Sequence, residues 1–407
     1  MCTSVLSRMA FAFLAALAFN VPAHSRACGD WLKDALYGVN FVFQYEFIVP
    51  GAGKTPAGWN NIVDDFDVNT FASHIAQTGA DWVLFHIGSE RSGYNSSPNE
   101  AYDTYAGLEP GERNSLSDLP MDVAGALAPY GIKMMLYYNV RGPIDDAAVR
   151  DALNRNGSQG RIAVLREWSE RYGEKCWGWW FDSWTDHQGR TDWDSLAAAA
   201  KSGNPLSMVA FNPGVGDGTW KSFTTLQDYT AGECPDCIRA TGSGGCTPVT
   251  CPPRDLQGNP VEMQWHAATY LGSKWGTQSP LRFTDRTVID YVKLVNSQGG
   301  VVLLDPAFYP GGELYEPHLA QLVALREAVK GTQAVARGPS AMPPRKTCAV
   351  RLLVLPASGH RRKTALPPPG EAEGLYDISG RFLSSQRVLP DSPAAGPGVF
   401  ICQTSSP

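Results

Sequence analysis

The chain has 407 residues, of which 43% are hydrophobic, 11% aromatic and 18% charged, with a net charge of -6. This is a globular composition, long enough for one large domain plus an appendage. The acidic balance argues against a nucleic-acid partner, since no basic excess offsets phosphate, whereas the low charged fraction and 12 Trp suit neutral, polyhydroxylated ligands.

The N-terminus carries Arg8, an apolar run from Met9 to Phe19, and small residues at Ala23 and Ser25. Residues 1–25 therefore read as a secretory signal peptide, and the run is too short for a membrane span. Ser25-Arg26-Ala27 ahead of Cys28 is a poor lipidation box, so a secreted or periplasmic protein is expected rather than a lipoprotein. Losing Cys2 with the signal would leave eight of nine cysteines, an even number that suits an oxidising compartment. Four of them cluster at Cys234, Cys237, Cys246 and Cys251. Two local disulfides are favoured there, with a zinc knuckle as the alternative.

From residue 37 to about residue 330, short apolar strands alternate with helices. The strand candidates are Tyr37–Phe43, Asp81–His86, Ile132–Tyr138, Trp177–Phe181, Leu206–Phe211, Thr225–Asp228, Met263–Ala267 and Val301–Leu304. Helices are expected from Asn69, as cap, to Gln77, and over Met121–Ala128, Ile162–Tyr172, Trp193–Lys201, Arg286–Ser297 and Leu314–Val329. The alternation predicts a parallel α/β fold, and eight strands favour a (β/α)8 barrel over residues 26–335 rather than a doubly wound sheet. No Gly-x-Gly-x-x-Gly follows the first strand, so a dinucleotide fold has no support. Residues 336–346 read as a linker. Residues 347–407 read as a small β-rich appendage, with Cys348 and Cys402 as a possible staple.

Chemistry in such a fold belongs at the strand ends. These are rich in polar groups: Gln44 and Glu46, His86, Tyr137 to Asn139, Asp182, Asn212, Asp228 and Glu233, Glu262 and His266, and Asp305. The segment Cys176 to Trp184 stands out, because an aromatic strand ends in one carboxylate, Asp182, flanked by Trp180 and Trp184. Flat apolar faces stack on sugar rings, and an acid or nucleophile beside them completes a carbohydrate site. Tyr138 and Asn139 are expected to line the cleft. No carboxylate or histidine cluster points to a catalytic metal and no Gly-x-Ser-x-Gly to a serine hydrolase. No cofactor is expected.

Four segments resemble glycoside hydrolase family 29, the α-L-fucosidases. Gly131-Ile-Lys-Met-Met-Leu-Tyr-Tyr138 is similar to the family's third strand. Trp179-Trp180-Phe181-Asp182 resembles the strand-four motif whose Asp is the nucleophile. Asp228-Tyr-Thr-Ala-Gly-Glu233 resembles the segment carrying the acid/base Glu in some members. Val295-Asn296 through Gly299-Gly300 to Leu304, Pro306 and Gly312 is similar to the last strand. The resemblance implies Asp182 as nucleophile and Glu233 as acid/base. Val261-Glu262-Met263 ahead of Trp275-Gly276 makes Glu262 a substrate contact and a rival acid, with Asp228 and His266 as further substrate-binding candidates. The family's paired histidines that grip fucose are absent, and only His86 stands nearby.

The expected function is a secreted, α-L-fucosidase-like retaining exo-glycosidase that removes a terminal fucose or related sugar from glycans, with an ionised nucleophile and a protonated acid about 5–5.5 Å apart. An endo-acting polysaccharide hydrolase and a non-catalytic carbohydrate-binding protein on the same barrel are the alternatives.

Overall fold

The computed structural model describes residues 30–48, 54–182, 192–215, 220–238 and 245–331, together with four short strands after residue 347. The signal segment 1–25, the linker 336–346 and Trp184 lie outside the described residues. The chain divides into two compact units, residues 28–344 and a second comprising residues 1–27 and 345–407.

The larger unit is built on seven parallel strands: β1 Tyr37–Phe41, β2 Trp82–His86, β3 Lys133–Asn139, β4 Cys176–Asp182, β5 Met208–Phe211, β6 His266–Tyr270 and β7 Val301–Asp305. Their order across the sheet is β5-β4-β3-β2-β1-β7-β6. Among the described residues ten α-helices accompany them: α1 Tyr45–Ile48, α2 Pro56–Asp64, α3 Val68–Thr78, α4 Glu100–Ala106, α5 Leu119–Leu127, α6 Ala147–Leu153, α7 Arg155–Tyr172, α8 Trp193–Ala200, α9 Asp285–Ser297 and α10 Glu316–Lys330. No helix among the described residues is long and apolar enough to cross a membrane.

Strand alternation sorts the side chains onto two faces. Val39, Phe41, Val83, Phe85, Leu136, Tyr138, Trp179 and Phe181 pack outward with helix residues in one large cluster. Trp82, Leu84, Met135, Tyr137, Trp180, Ala210, Ala268 and Leu303 form a second cluster inside the curl of the sheet. Helix α3 starts two residues earlier than the sequence indicates: the Asp67 carboxylate, not Asn69, accepts from the N–H groups of Asn69 and Thr70, and Gly79 ends it at a φ of 70°.

The expected sixth strand at Thr225–Asp228 is not formed. Extended chain slightly further on, residues 228–234, lies between the edge strands β5 and β6. The Asp228 N–H donates to the Val209 carbonyl at 2.9 Å, Thr230 to Gln264 at 3.0 Å, Ala268 to Gly232 at 2.8 Å and Cys234 to Ala268 at 3.0 Å. Tyr229 and Ala231 pack inside the curl with the strand residues, so Glu233 falls on the inward side of the same alternation. Its bridge to Ala268 fixes its height.

Aromatic packing covers the starts of β2, β3 and β4. Trp31 meets Trp82 and Trp177 edge-on at ring separations of 6.1 and 6.0 Å. The Lys133 ammonium lies over Trp31 and Trp177 at 5.3 and 4.8 Å.

The second unit contains a four-stranded antiparallel sheet of β8 Cys348–Arg351, β9 Glu373–Tyr376, β10 Phe382–Ser384 and β11 Phe400–Thr404, in the order β10-β9-β11-β8. Its register sets Cys402 opposite Val350 and Thr404 opposite Cys348. The side chains of the expected Cys348–Cys402 staple lie outside those described.

Gly232 is where this architecture is least tolerant. Its φ is +64°, and a Cβ there would sit 1.9 Å from the His266 carbonyl oxygen. Gly232→Ala is expected to destabilise the protein by about 2 kcal/mol or more, read as a lower urea midpoint. Gly107→Ala, with a φ of +69° but nothing within 4 Å of the added atom, should cost only about 1 kcal/mol.

Candidate active site

The inward side chains at the carboxyl ends of the strands surround a cleft with about 530 Å³ of empty space. Asp182, the last residue of β4, and Glu233 both line it. Tyr137 donates its hydroxyl to Asp182 Oδ2 at 2.6 Å. Asn212, just beyond β5 and fully buried, donates from Nδ2 to Asp182 Oδ1 and to Glu233 Oε2, each at 2.7 Å. Its own Oδ1 accepts from the Gly214 N–H, which fixes the orientation of the amide. One nitrogen bonded to both oxygens places them no more than twice 2.7 Å apart.

Two carboxylates this close do not share the same protonation state at neutral pH. Burial, then the Asp182 charge, raises the Glu233 pKa to about 7, while hydrogen bonds from Asn212 and Trp275 oppose the rise and Glu90 adds to it. Burial and the Asp182 charge also push the Tyr137 phenol well above its ordinary range, so it stays a proton donor. The pair thus differs in surroundings: Asp182 accepts from two donors, and Glu233 holds its proton to a higher pH than an ordinary Glu.

The walls are aromatic and amide-rich. Trp180 stacks on Tyr137 at 5.4 Å and donates its indole N–H to the Ala231 carbonyl at 3.2 Å. His86 stacks flat on the other side of Tyr137, with 3.7 Å between centroids and 5° between planes. Asn40 donates to Asp305 Oδ1 at 3.1 Å, so its Oδ1 faces His86 Nε2 at 3.0 Å. Gln44 Nε2 meets His86 Nδ1 at 2.9 Å. The network assigns the neutral Nε2–H tautomer, and burial lowers the His86 pKa well below its ordinary value. Both ring nitrogens are committed to protein partners, and His86 forms a wall of the cleft.

Several expected site residues lie elsewhere. Tyr138 points outward and meets Trp168 edge-on at 5.1 Å; its neighbour Tyr137 takes the inward position. Asn139 binds backbone, donating to the Glu90 and Gly142 carbonyls and accepting from the Arg141 N–H. Asp228 accepts from the Lys201 ammonium at 2.6 Å and the Val209 N–H at 2.8 Å, a structural ion pair low on the sheet. His266 begins β6, bonds the Ala231 carbonyl through Nδ1 at 2.9 Å, and is buried with its pKa lowered to about 4. Glu262 precedes β6, so it sits at the end where strands begin, away from the cleft. The cleft is instead completed by Asn40, Gln44, Glu90, Phe47 and Trp275.

The loop beyond Glu233 is cross-linked. Cys234 and Cys237 form a disulfide, and the sulfur atoms of Cys234, Cys237 and Cys246 lie within 4.8 Å of one another. Arg282 donates to the Pro235 carbonyl and to Asp236, and Thr269 donates to Pro235 at 3.1 Å.

Neither a family model nor a curated protein matches the sequence. Solved structures do resemble the fold. A variant of the endo-fucoidan hydrolase MfFcnA4 from glycoside hydrolase family 107 aligns with a TM-score of 0.55 at 15% identity, over 95% of this chain and 65% of its own. The chain therefore spans less than two thirds of that structure. The endo-fucoidan hydrolase P5AFcnA of the same family aligns at 0.53 and 15% identity, over 77% of this chain and 95% of its own. A mutant of the α-L-fucosidase AlfC with 4-nitrophenyl-α-L-fucopyranoside aligns at 0.50 and 14% identity, over 75% and 98%. At these identities the likeness is one of fold.

Folding raises the Glu233 pKa from 4.5 to about 7, so its contribution to stability is fully present below about pH 4.5 and is lost as pH rises through about 7. Glu233→Gln should therefore gain in melting temperature on the wild type as pH rises from about 5 to 8, with no growing gain below that window. Thermal melts at stepped pH check this.

Proposed function

We propose that this protein is a retaining glycoside hydrolase acting on α-L-fucosyl or closely related linkages, with Asp182 as nucleophile and Glu233 as acid/base. The observation that carries this reading is the Asn212 bridge, which holds the two carboxylates within the spacing of about 5–5.5 Å used by retaining enzymes. The likeness in fold to endo-fucoidan hydrolases and an α-L-fucosidase supports the sugar class. The wider reading is a secreted enzyme with a signal peptide at residues 1–25. Its catalytic domain, residues 26–335, is a (β/α)8-type barrel in which residues 228–234 stand in for one strand, and residues 347–407 form an appendage.

Asp182, ionised and oriented by Tyr137 and Asn212, attacks the anomeric carbon. Glu233 gives its proton to the departing oxygen. The glycosyl–Asp182 ester is then hydrolysed by a water that Glu233 deprotonates. Trp180 supplies a flat face for the ring.

An endo-acting variant of this reading is favoured by a second hollow beside the cleft. It shares Val42 and Phe47 with the cleft and is lined further by Phe308 and Tyr309. Its aromatic lining suits stacking of a neighbouring sugar of a chain, and product sizing on a fucan polymer separates the two modes.

Asp182→Asn should lower kcat on 4-nitrophenyl α-L-fucoside by about 1,000-fold or more. Glu233→Ala should slow natural substrates far more than the activated one, and azide should restore turnover of the latter with a fucosyl azide product. Proton NMR should show retained anomeric configuration. Wild-type rates in Asp182→Asn, or inversion, would refute the mechanism.

A further inference from the structure

Among the described residues lining the cleft, Glu90, Asp182 and Glu233 carry carboxyl groups and none carries an ammonium or guanidinium. The two-carboxylate chemistry uses Asp182 and Glu233 and leaves Glu90 without a task. The chain nevertheless holds Glu90 with care. Its N–H donates to Gln44 Oε1 at 3.4 Å. Its carbonyl accepts from the Ile144 N–H at 3.1 Å and from Asn139 Nδ2 at 3.2 Å. On either side, the Ser89 N–H donates to the Tyr94 carbonyl at 2.7 Å and the Ser92 N–H to Glu46 Oε1 at 2.7 Å. Segments following β1, β2 and β3 thus converge on one half-buried residue whose side chain is turned to the cleft.

Among the described residues, the titratable groups sharing this cleft with Glu90 are Asp182, Glu233, the Tyr137 phenol and the neutral His86. The Glu90 charge works against ionisation of both Glu233 and Tyr137. A carboxylate offers several acceptor positions, and a hydroxyl donor is a favourable neighbour for it. Adjacent hydroxyls of a sugar ring can donate to the two oxygens of one carboxylate. A sulfate ester or a uronic acid would instead bring negative charge against three carboxyl groups. We propose that Glu90 is a specificity-determining residue that receives hydroxyls of the reacting sugar, so that this position of the cleft takes a neutral, unsulfated sugar. This rests on the reading of the cleft as a sugar site.

The test uses the full-length protein and the neutral isostere Glu90→Gln. Calorimetry with L-fucose and its 2-, 3- and 4-monosulfates measures binding, and 4-nitrophenyl α-L-fucoside measures turnover. The wild type should bind fucose and reject at least one ester by about 100-fold or more, a gap that Glu90→Gln narrows to about 10-fold. The variant should also raise KM for the fucoside about 10-fold with a smaller change in kcat. The alkaline limb of its kcat/KM profile should move to lower pH, because one negative charge near Glu233 is gone. A merely structural role would leave the ester discrimination unchanged. Equal binding of fucose and all three esters by the wild type overturns the proposal, as does a Glu90→Gln protein with wild-type discrimination, KM and pH limb. Failure of the wild type to bind any of the four sugars overturns it together with the sugar-site reading. Ester discrimination that depends on Glu90 in a wild type that hydrolyses nothing upholds Glu90 and removes only the hydrolase reading.

Discussion

A single amide nitrogen, Asn212 Nδ2, sits between two carboxyl oxygens at 2.7 Å from each, and the chemistry of the cleft follows from that arrangement. Two carboxylates drawn together by a shared donor repel one another, so the proton affinity of one must rise. Glu233 is the one that changes: burial and the Asp182 charge raise its pKa, while Asp182 has the phenolic donor of Tyr137. The asymmetry therefore comes from surroundings, not from residue type. Asn212 is itself placed by main chain, its N–H donating to the Phe181 carbonyl at 2.7 Å, so the position of the bridge is set by the β4–β5 ladder.

The second half of the pair depends on an irregular element. A regular strand between β5 and β6 would continue the ladder through Glu233 with no demand for a particular side chain or turn. Here the chain passes through Gly232 in a left-handed conformation against the His266 carbonyl, bridges Ala268, and enters a cross-linked turn. Each of these limits where the Glu233 carboxyl can go. Irregular backbone beside a site is a common place for proteins to re-aim a side chain.

Much of this was legible in the sequence. The alternation of apolar strands and helices announced a parallel α/β fold, and the aromatic strand ending in Asp182 marked the place of the chemistry. What sequence could not supply was register and direction. Tyr137 and Tyr138 are adjacent and alike, and only the pairing of Tyr137 with His86 and Trp180 in the sheet decides which faces inward. Asp228, Glu262 and His266 lie near strand residues as Glu233 does, but they sit where strands begin. A missing regular strand left no way to tell the two ends apart. Asn40 was hidden for a different reason: neutral amides inside a fold usually serve backbone, and its role, like the bridging role of Asn212, is visible only once the partners are known. A buried Asn in the middle of the run Tyr37-Gly-Val-Asn-Phe41 was the one available signal, since a polar group on the inward face of a strand needs a partner.

The aromatic floor has a consequence for the order of events. With Trp31, Trp82 and Trp177 packed where β2 and β4 begin and Lys133 lying over two of them, Asp182 is reached through the cleft at the opposite end of the sheet. Under the proposed mechanism, a leaving group still in place would occupy the route by which water arrives. Departure would then precede hydrolysis, and an alcohol entering the vacated space ahead of water would compete for the same glycosyl group. On that proposal, packing at one end of the sheet makes traffic at the other the arbiter between hydrolysis and transfer.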